Sequence, residues 1–342
     1  MIFQDSPIRD LAKLVAWYPL RWFVTAAPWG IAYFLGGLVG RVYCRVCPGK
    51  IRRIARNMHC ALRGEGLTES HAWACARTLA TRHYVEHMEF YKLATLTREN
   101  VGKHVTMEGI EHVEKALASG KGAVLVHMHF GSKQFPLVAL GLNGYPVTQV
   151  GYRDTSAGDY SFIHRQVHLR LRLKIEARFK AKHVHLGEFM RPLYRCLQNN
   201  ELLMIAGDGI GGRRNPGLNY LPIPFLGRQM LFPPGPARLA LSTGAPLIPV
   251  FCVQEDGKWH YRVLFEPPIE QQDTGNQQLD VLANIGCIAK AFERYIKRHP
   301  DHWMFWEEFT EGNLIPAGAQ CCSGKGELES SRPSGFGGRG GE

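Results

Sequence analysis

Residues 120–136 read GKGAVLVHMHFGSKQFP. A Gly-Lys-Gly turn leads into Ala123–His129, a run that is apolar but for two histidines and too short for a helix. A Phe-Gly break follows, and then FPLVALGLN (135–143), apolar again with a proline in its first turn. This is the pattern of a buried strand, a turn and a helix. Outward the rhythm repeats. HVTMEG (104–109) reads as a strand and IEHVEKALAS (110–119) as an amphipathic helix before it; YPVTQVGY (145–152) returns to strand after it. Helices are expected over 159–172 and 187–199, and ELLMIAGD (201–208) as a strand running into a glycine-rich loop. PPGPARLALSTG (233–244) has proline at its start and glycine at its end, the helix asymmetry. APLIPVFCV (245–253) and WHYRVLFEP (259–267) read as strands, and 279–299 as the last long helix. Alternation of this kind predicts an α/β fold, a mostly parallel sheet flanked by helices, with ligands at the carboxyl ends of the strands.

The chain has 342 residues, 45% hydrophobic, which excludes a mostly disordered protein. Its net charge of +11 is concentrated in two zones: residues 1–60 carry +7 and residues 151–185 carry +5. Between Arg21 and Arg41 lie nineteen uncharged residues, WFVTAAPWGIAYFLGGLVG, at the minimal length for a membrane span. Trp17, Tyr18, Trp22 and Trp29 suit a headgroup boundary, and the basic segment RVYCRVCPGKIRRIARN after the run would keep the rest of the chain cytoplasmic. The expectation is an N-terminal membrane-associated helix. It is either a transmembrane helix or, since Pro28 and several glycines interrupt it, a buried or interfacial helical hairpin. The length of the run and the missing cleavage site argue against a signal peptide. The domains expected are thus a membrane anchor with its basic segment (1–60), an α/β body (61–315) opening on the helical stretch 67–94, and a disordered Gly/Ser-rich tail (316–342).

The chemistry concentrates where the first strand ends. Alternation puts His127 and His129 on one face, and His129 falls at the turn, where it is a candidate general base with helix N–H donors beyond it for an oxyanion. A rival use of the same residues is a zinc hydrolase built from His127, His129, His183, His185 and Asp208, although the spacing matches no metal signature. Cys44 and Cys47 lack a second pair at zinc-finger spacing and read as small apolar residues in a reduced compartment; Cys321 and Cys322 in the tail are weak candidates for lipidation. The second basic zone carries no nucleic-acid motif, so nucleic acid is not expected as a partner; anionic headgroups or an acidic carrier protein suit it better.

His129-Phe130-Gly131 followed by Gln134 resembles the H-F-G-x-x-E element of the bacterial lipid A late acyltransferases, within the lysophospholipid and glycerolipid acyltransferases. The resemblance continues along residues 10–310: R-R-x-x-R-N at Arg52–Asn57, GYRD at Gly151–Asp154, AGDGIGGRR at 206–214, the PFLGRQ…APLIPV block at 224–250, and the terminal YIKRHPDHWMFWEEF at 295–309. It implies transfer of an acyl group from an acyl carrier protein or CoA thioester to a hydroxyl of a lipid or glycolipid. This would take place on an anionic membrane surface at the cytoplasmic face of the inner membrane, as in lipid A biosynthesis, without a cofactor. By the same resemblance His129, Gln134, Arg153 and Asp208 form the catalytic set, with Arg153 and backbone N–H groups near Gly131 facing the oxyanion. Gly131, Arg213 and Arg228 hold substrate. The family's carboxylate is Gln134 here; glutamine can orient an imidazole but lacks the charge that stabilises imidazolium. Three outcomes follow: Gln134 suffices, a nearby acid (Glu86, Glu89 or Asp208) substitutes, or the chain is a catalytically impaired relative with a lipid-binding or regulatory role.

Overall fold

The computed structural model describes residues 14–152, 170–179, 181–186, 190–209, 220–255 and 259–316. The arginines and cysteines expected to act at Arg153, Arg213, Cys321 and Cys322 lie outside them, as does the tail from 317 on.

The uncharged N-terminal run does not form one straight rod. It divides into α1 (Arg21–Ala26) and α2 (Trp29–Val46), separated at Ala27-Pro28. Pro28 has no N–H to continue the ladder and drives Ala27 into extended backbone, ψ 156°. Among the described residues no helix is long and apolar enough to cross a membrane. The carbonyls of Thr25 and Ala27, released at the break, accept hydrogen bonds from the buried Lys92 Nζ at 2.9 and 2.7 Å. A cation at a helix C-terminus also complements its dipole. Lys92 ends α4 (Glu69–Lys92), which α3 (Pro48–Leu62) precedes; Thr68 caps α4 by accepting the His71 N–H. The inner face of α2 packs backbone to backbone on α4. A Cβ on Gly36 would sit 2.6 Å from Val85 Cα, and one on Gly40 2.6 Å from Thr81 Cα, so only glycine allows this approach. The outer face leaves Phe34 62% and Val46 73% exposed, beside Ile31, Leu38 and Val42.

The body follows: β1 (Val105–Glu108), α5 (Ile110–Ala118), β2 (Ala123–His127), α6 (Phe135–Leu142), β3 (Val147–Tyr152), α7 (Arg170–Glu176), β4 (Lys182–Leu186), α8 (Arg191–Gln198), β5 (Leu202–Ala206), the hairpin β6 (Leu221–Phe225) and β7 (Arg228–Phe232), α9 (Gly235–Thr243), β8 (Leu247–Gln254), β9 (Tyr261–Phe265) and α10 (Gln277–Arg298). Among the described residues seven strands form one sheet in the order β1-β9-β8-β2-β5-β3-β4, parallel at every neighbour except β8–β9. Every residue of β2 is buried, as a central parallel strand covered on both faces requires. Val124 and Val126 join the cluster under α3, α4, α9 and α10; Ala123 and Leu125 join the one under α5 and α6.

The hairpin is the element absent from the sequence reading. Pro222 and Pro224 argue against a strand and are tolerated because they point to solvent on a two-stranded ribbon. Its turn, Leu226-Gly227, has φ of +48° and +71° without the Asn-Gly or Asp-Gly pair that usually announces such geometry.

Candidate active site

β2 and β5 are neighbours in register, His127 opposite Ala206, and the Gly207 N–H donates to the His127 carbonyl at 2.7 Å. The residues just beyond those two strand ends therefore meet. Asp208 Oδ1 lies 2.8 Å from His129 Nδ1, and Asp208 Oδ2 accepts the His129 backbone N–H at 2.7 Å. Asp208 is fully buried while the His129 side chain is 31% exposed, so the pair has a dry end and a wet end. Burial alone would push the Asp208 carboxyl up; the attraction of His129 and the hydrogen bonds from it outweigh burial and hold the carboxyl below its ordinary range. An ionised Asp208 accepts the Nδ1–H, fixes that tautomer and leaves Nε2 of His129 as the basic nitrogen.

Gln134 does not occupy that position. It stands before the first turn of α6, and its buried Oε1 has no hydrogen-bond partner among the described residues. Of the three acids named as possible substitutes, Asp208 partners His129. Glu86 instead accepts the Lys133 N–H at 3.1 Å, and Glu89 is buried within α4.

Of the backbone N–H groups near Gly131 expected to face the oxyanion, that of Gly131 itself donates to the His302 carbonyl at 3.0 Å. Its neighbours are also committed: Phe130 N–H to the Met128 carbonyl at 2.8 Å and Lys133 N–H to Glu86. Gly131 is there for its backbone. Its φ is +60°, and a Cβ would fall 1.9 Å from the Cys252 carbonyl oxygen. Arg228, on β7, places its guanidinium over the Phe309 ring, 5.8 Å from the centroid.

The zinc alternative fails on topology. β5 and β3 separate β2 from β4, so His183 lies three strands from His127, roughly 14 Å at the usual strand spacing. His183 instead faces the buried Glu176 of α7 at 3.2 Å. No group of three or more metal-ligating side chains occurs among the described residues. His127 does share the His129 face, ring centres 6.3 Å apart, and burial pushes it down to about 4, which keeps it neutral at physiological pH.

One part of the site had no functional reading in the sequence: the segment after α10, residues 299–309, quoted above only for its resemblance. It wraps the histidine loop. Phe130 and Trp303 form an antiparallel bridge, the Met304 N–H donates to the His129 carbonyl at 2.9 Å, and the His302 ring stacks on Phe130 at 5.1 Å. The Trp303 indole N–H donates to Asp208 Oδ2 at 3.2 Å, and the Phe305 ring lies 4.5 Å from that of His129. His302 is itself fixed: Nδ1 lies 2.9 Å from Asp301, and Nε2 accepts the Gln254 N–H at 3.2 Å. Burial pushes His302 down to about 4, so it is neutral. From outside, the Asn57 side chain donates to the Trp306 carbonyl at 2.7 Å, and Lys50 and Arg53 pair with Glu307 at 2.7 and 2.9 Å. The R-R-x-x-R-N stretch is thus a clasp on this segment. A dense run of tryptophan and phenylalanine next to a histidine was the available signal.

The family described as bacterial lipid A biosynthesis acyltransferase matches residues 11–308. A phosphatidylinositol mannoside acyltransferase of Mycolicibacterium smegmatis is 29% identical over 220 residues, 63% of this chain and 65% of that protein. Phosphatidylinositol mannoside acyltransferases of two Mycobacterium tuberculosis strains are 27% identical over 221 residues, 63% of this chain and 63% of each. The match spans somewhat less than two thirds of the length of these relatives.

Proposed function

The chain belongs to the bacterial lipid A biosynthesis acyltransferase family, and on that premise we propose that it is an O-acyltransferase. The donor is a thioester of acyl carrier protein or CoA, and the acceptor is a hydroxyl of a membrane lipid or glycolipid. One observation carries the reading: a half-exposed imidazole at the carboxyl end of the central strand, with a buried carboxylate on its Nδ1. In this chemistry His129 Nε2 removes the proton of the acceptor hydroxyl as its oxygen attacks the thioester carbonyl. Asp208 stabilises the imidazolium that forms. The tetrahedral intermediate collapses with cleavage of the carbon–sulfur bond, and the proton on His129 passes to the departing thiolate. The oxyanion donors are expected from groups other than the Gly131 loop, with Arg153 the first candidate, and Arg213 and Arg228 as contacts for the acceptor. The case for an impaired relative rested on the missing carboxylate at 134; Asp208, arriving from β5, supports an active pair without it.

The α1–α2 outer face supports action at a membrane surface, with Trp22, Phe34 and Leu38 inserting at the interface and Arg41 and Arg45 meeting anionic headgroups on the cytoplasmic side. The test is release of free thiol from acyl carrier protein and CoA thioesters in the presence of lipid acceptors, phosphatidylinositol mannosides and lipid A precursors among them. Transfer by the wild type and its loss in His129→Ala support the reading. Transfer undiminished in His129→Ala, or no transfer with any donor and acceptor class, overturns it.

A further inference from the structure

Asp208 is 0% exposed and ionised, and a buried carboxylate is tolerable only with donors on its oxygens. It has three among the described residues. Two of them, the backbone N–H and Nδ1, belong to His129. One of these bonds goes to the ring and the other to the main chain of the same residue, so both tie the carboxylate to the loop that carries His129. The third donor, Trp303 Nε1 at 3.2 Å, comes from a different part of the chain and is the described bond that ties the carboxylate to a segment other than the histidine loop.

Trp303 is held well enough to do this. It is 0% exposed and packed edge to face against Trp306, Phe309 and Phe225, with ring centres 4.9, 5.5 and 5.8 Å away. Its backbone bridges Phe130, and the next residue, Met304, donates to the His129 carbonyl, so the loop carrying the histidine and the residue gripping the aspartate belong to one unit. That unit is fastened from α3 by Asn57, whose amide reaches the Trp306 carbonyl at 2.7 Å.

We propose that Trp303 is a positioning residue for the His129–Asp208 pair, acting through its indole N–H, with Asn57 holding the segment that presents it. The inference rests on the acyl-transfer reading for its kinetic consequence and on geometry alone for its spectroscopic one. If the tryptophan served only to fill the core, the N–H could be deleted freely provided the ring remained.

The decisive variant replaces Trp303 with 3-benzothienylalanine, which keeps the bicyclic ring and exchanges the N–H for sulfur; Trp303→Phe serves as the coarser companion. In the full-length protein, kcat is expected to fall roughly tenfold, the scale of one lost hydrogen bond to a charged group, with KM within twofold. The low-field proton resonance of the His129 Nδ1–H···Asp208 bond is expected to shift and broaden in a variant whose far-ultraviolet circular dichroism shows the native fold. A benzothienylalanine protein with wild-type kcat and an unmoved resonance overturns the inference while leaving acyl transfer intact. Should the wild type transfer no acyl group, the acyl-transfer reading falls, and the resonance alone decides whether Trp303 positions the pair.

Discussion

Asp208 stands 79 residues beyond His129 in the chain, yet its carboxylate oxygen is 2.8 Å from the histidine Nδ1. The contact exists because β2 and β5 are hydrogen-bonded neighbours whose ends align. A carboxylate close to the histidine in sequence is one way to orient it; a carboxylate at the end of the adjacent parallel strand is another, and here the second is used.

Asp208→Asn and Gln134→Ala therefore have opposite expected outcomes. In Asp208→Asn the amide oxygen can still accept the His129 and Trp303 N–H groups, which turns its NH2 toward Nδ1 and favours the wrong imidazole tautomer. The loss in kcat is expected on the order of 10³–10⁴, the magnitude seen when a triad loses its aspartate. Gln134→Ala is expected to cost less than tenfold. A steady-state comparison of the two decides which residue orients the histidine, and a larger loss at Gln134 would reverse the assignment.

Glu89 sets a pH dependence on stability. Its side chain is 2% exposed; burial, with some repulsion from Glu86, pushes it up to about 8, while the Tyr261 hydroxyl and Arg82 act in the opposite direction. Between the ordinary 4.5 and about 8 the folded chain holds a proton that the unfolded chain has released. This contribution is fully present below 4.5 and is lost as pH rises through about 8. Thermal unfolding of Glu89→Gln against wild type from pH 5 to 9 should give a difference that grows in favour of the variant with pH, reaching a few kcal/mol at most. Parallel curves would mean that Glu89 is not protonated in the folded state.

The sheet was legible in the sequence because its strands are buried on both faces and read as unbroken apolar runs bounded by glycine; β2 and β5 are the clearest cases. His129 was legible because it ends such a run. Its partner was only one of three acids, since which strand lies beside β2 depends on crossover connections that no local pattern records. The Trp303 contact is further removed still, being set by how the segment after α10 folds back over the loop. At the N-terminus, hydropathy announced an apolar run, but what divides it is Pro28 together with Lys92, 65 residues from the Ala27 carbonyl it binds.

The α2–α4 contact gives a stability prediction. Because a Cβ on Gly36 would fall only 2.6 Å from Val85 Cα, Gly36→Leu must push the helices apart and is expected to cost about 1–3 kcal/mol, read as a lowered urea midpoint. Lys92→Met, which removes the charged donor from the Thr25 and Ala27 carbonyls, should cost a similar amount. Gly49→Leu, at a position with nothing within 4 Å, is the control for adding an apolar side chain without a clash. If Gly36→Leu unfolds no more easily than the control, the two helices do not pack as closely as described.

Removal of apolar groups and reversal of charge on the N-terminal helices should weaken membrane binding by different physical routes. Phe34 (62% exposed) and Leu38 (42%) lie on one face of α2, and Arg41 and Arg45 are exposed near the C-terminal end of that helix. A basic residue near an anionic surface is worth about 1 kcal/mol, so Arg41→Glu with Arg45→Glu is expected to lower partitioning onto phosphatidylglycerol vesicles by at least about 25-fold while leaving the weaker binding to phosphatidylcholine vesicles unchanged. Phe34→Ser with Leu38→Ser should weaken binding to both, because the transfer of apolar area does not depend on headgroup charge. Raising the salt concentration should erase the preference for phosphatidylglycerol in the wild type and leave a residue of binding that only the serine variant lacks. Were the serine variant to sediment with both vesicle types as the wild type does, the exposed face of α2 would not be the surface that meets the lipid.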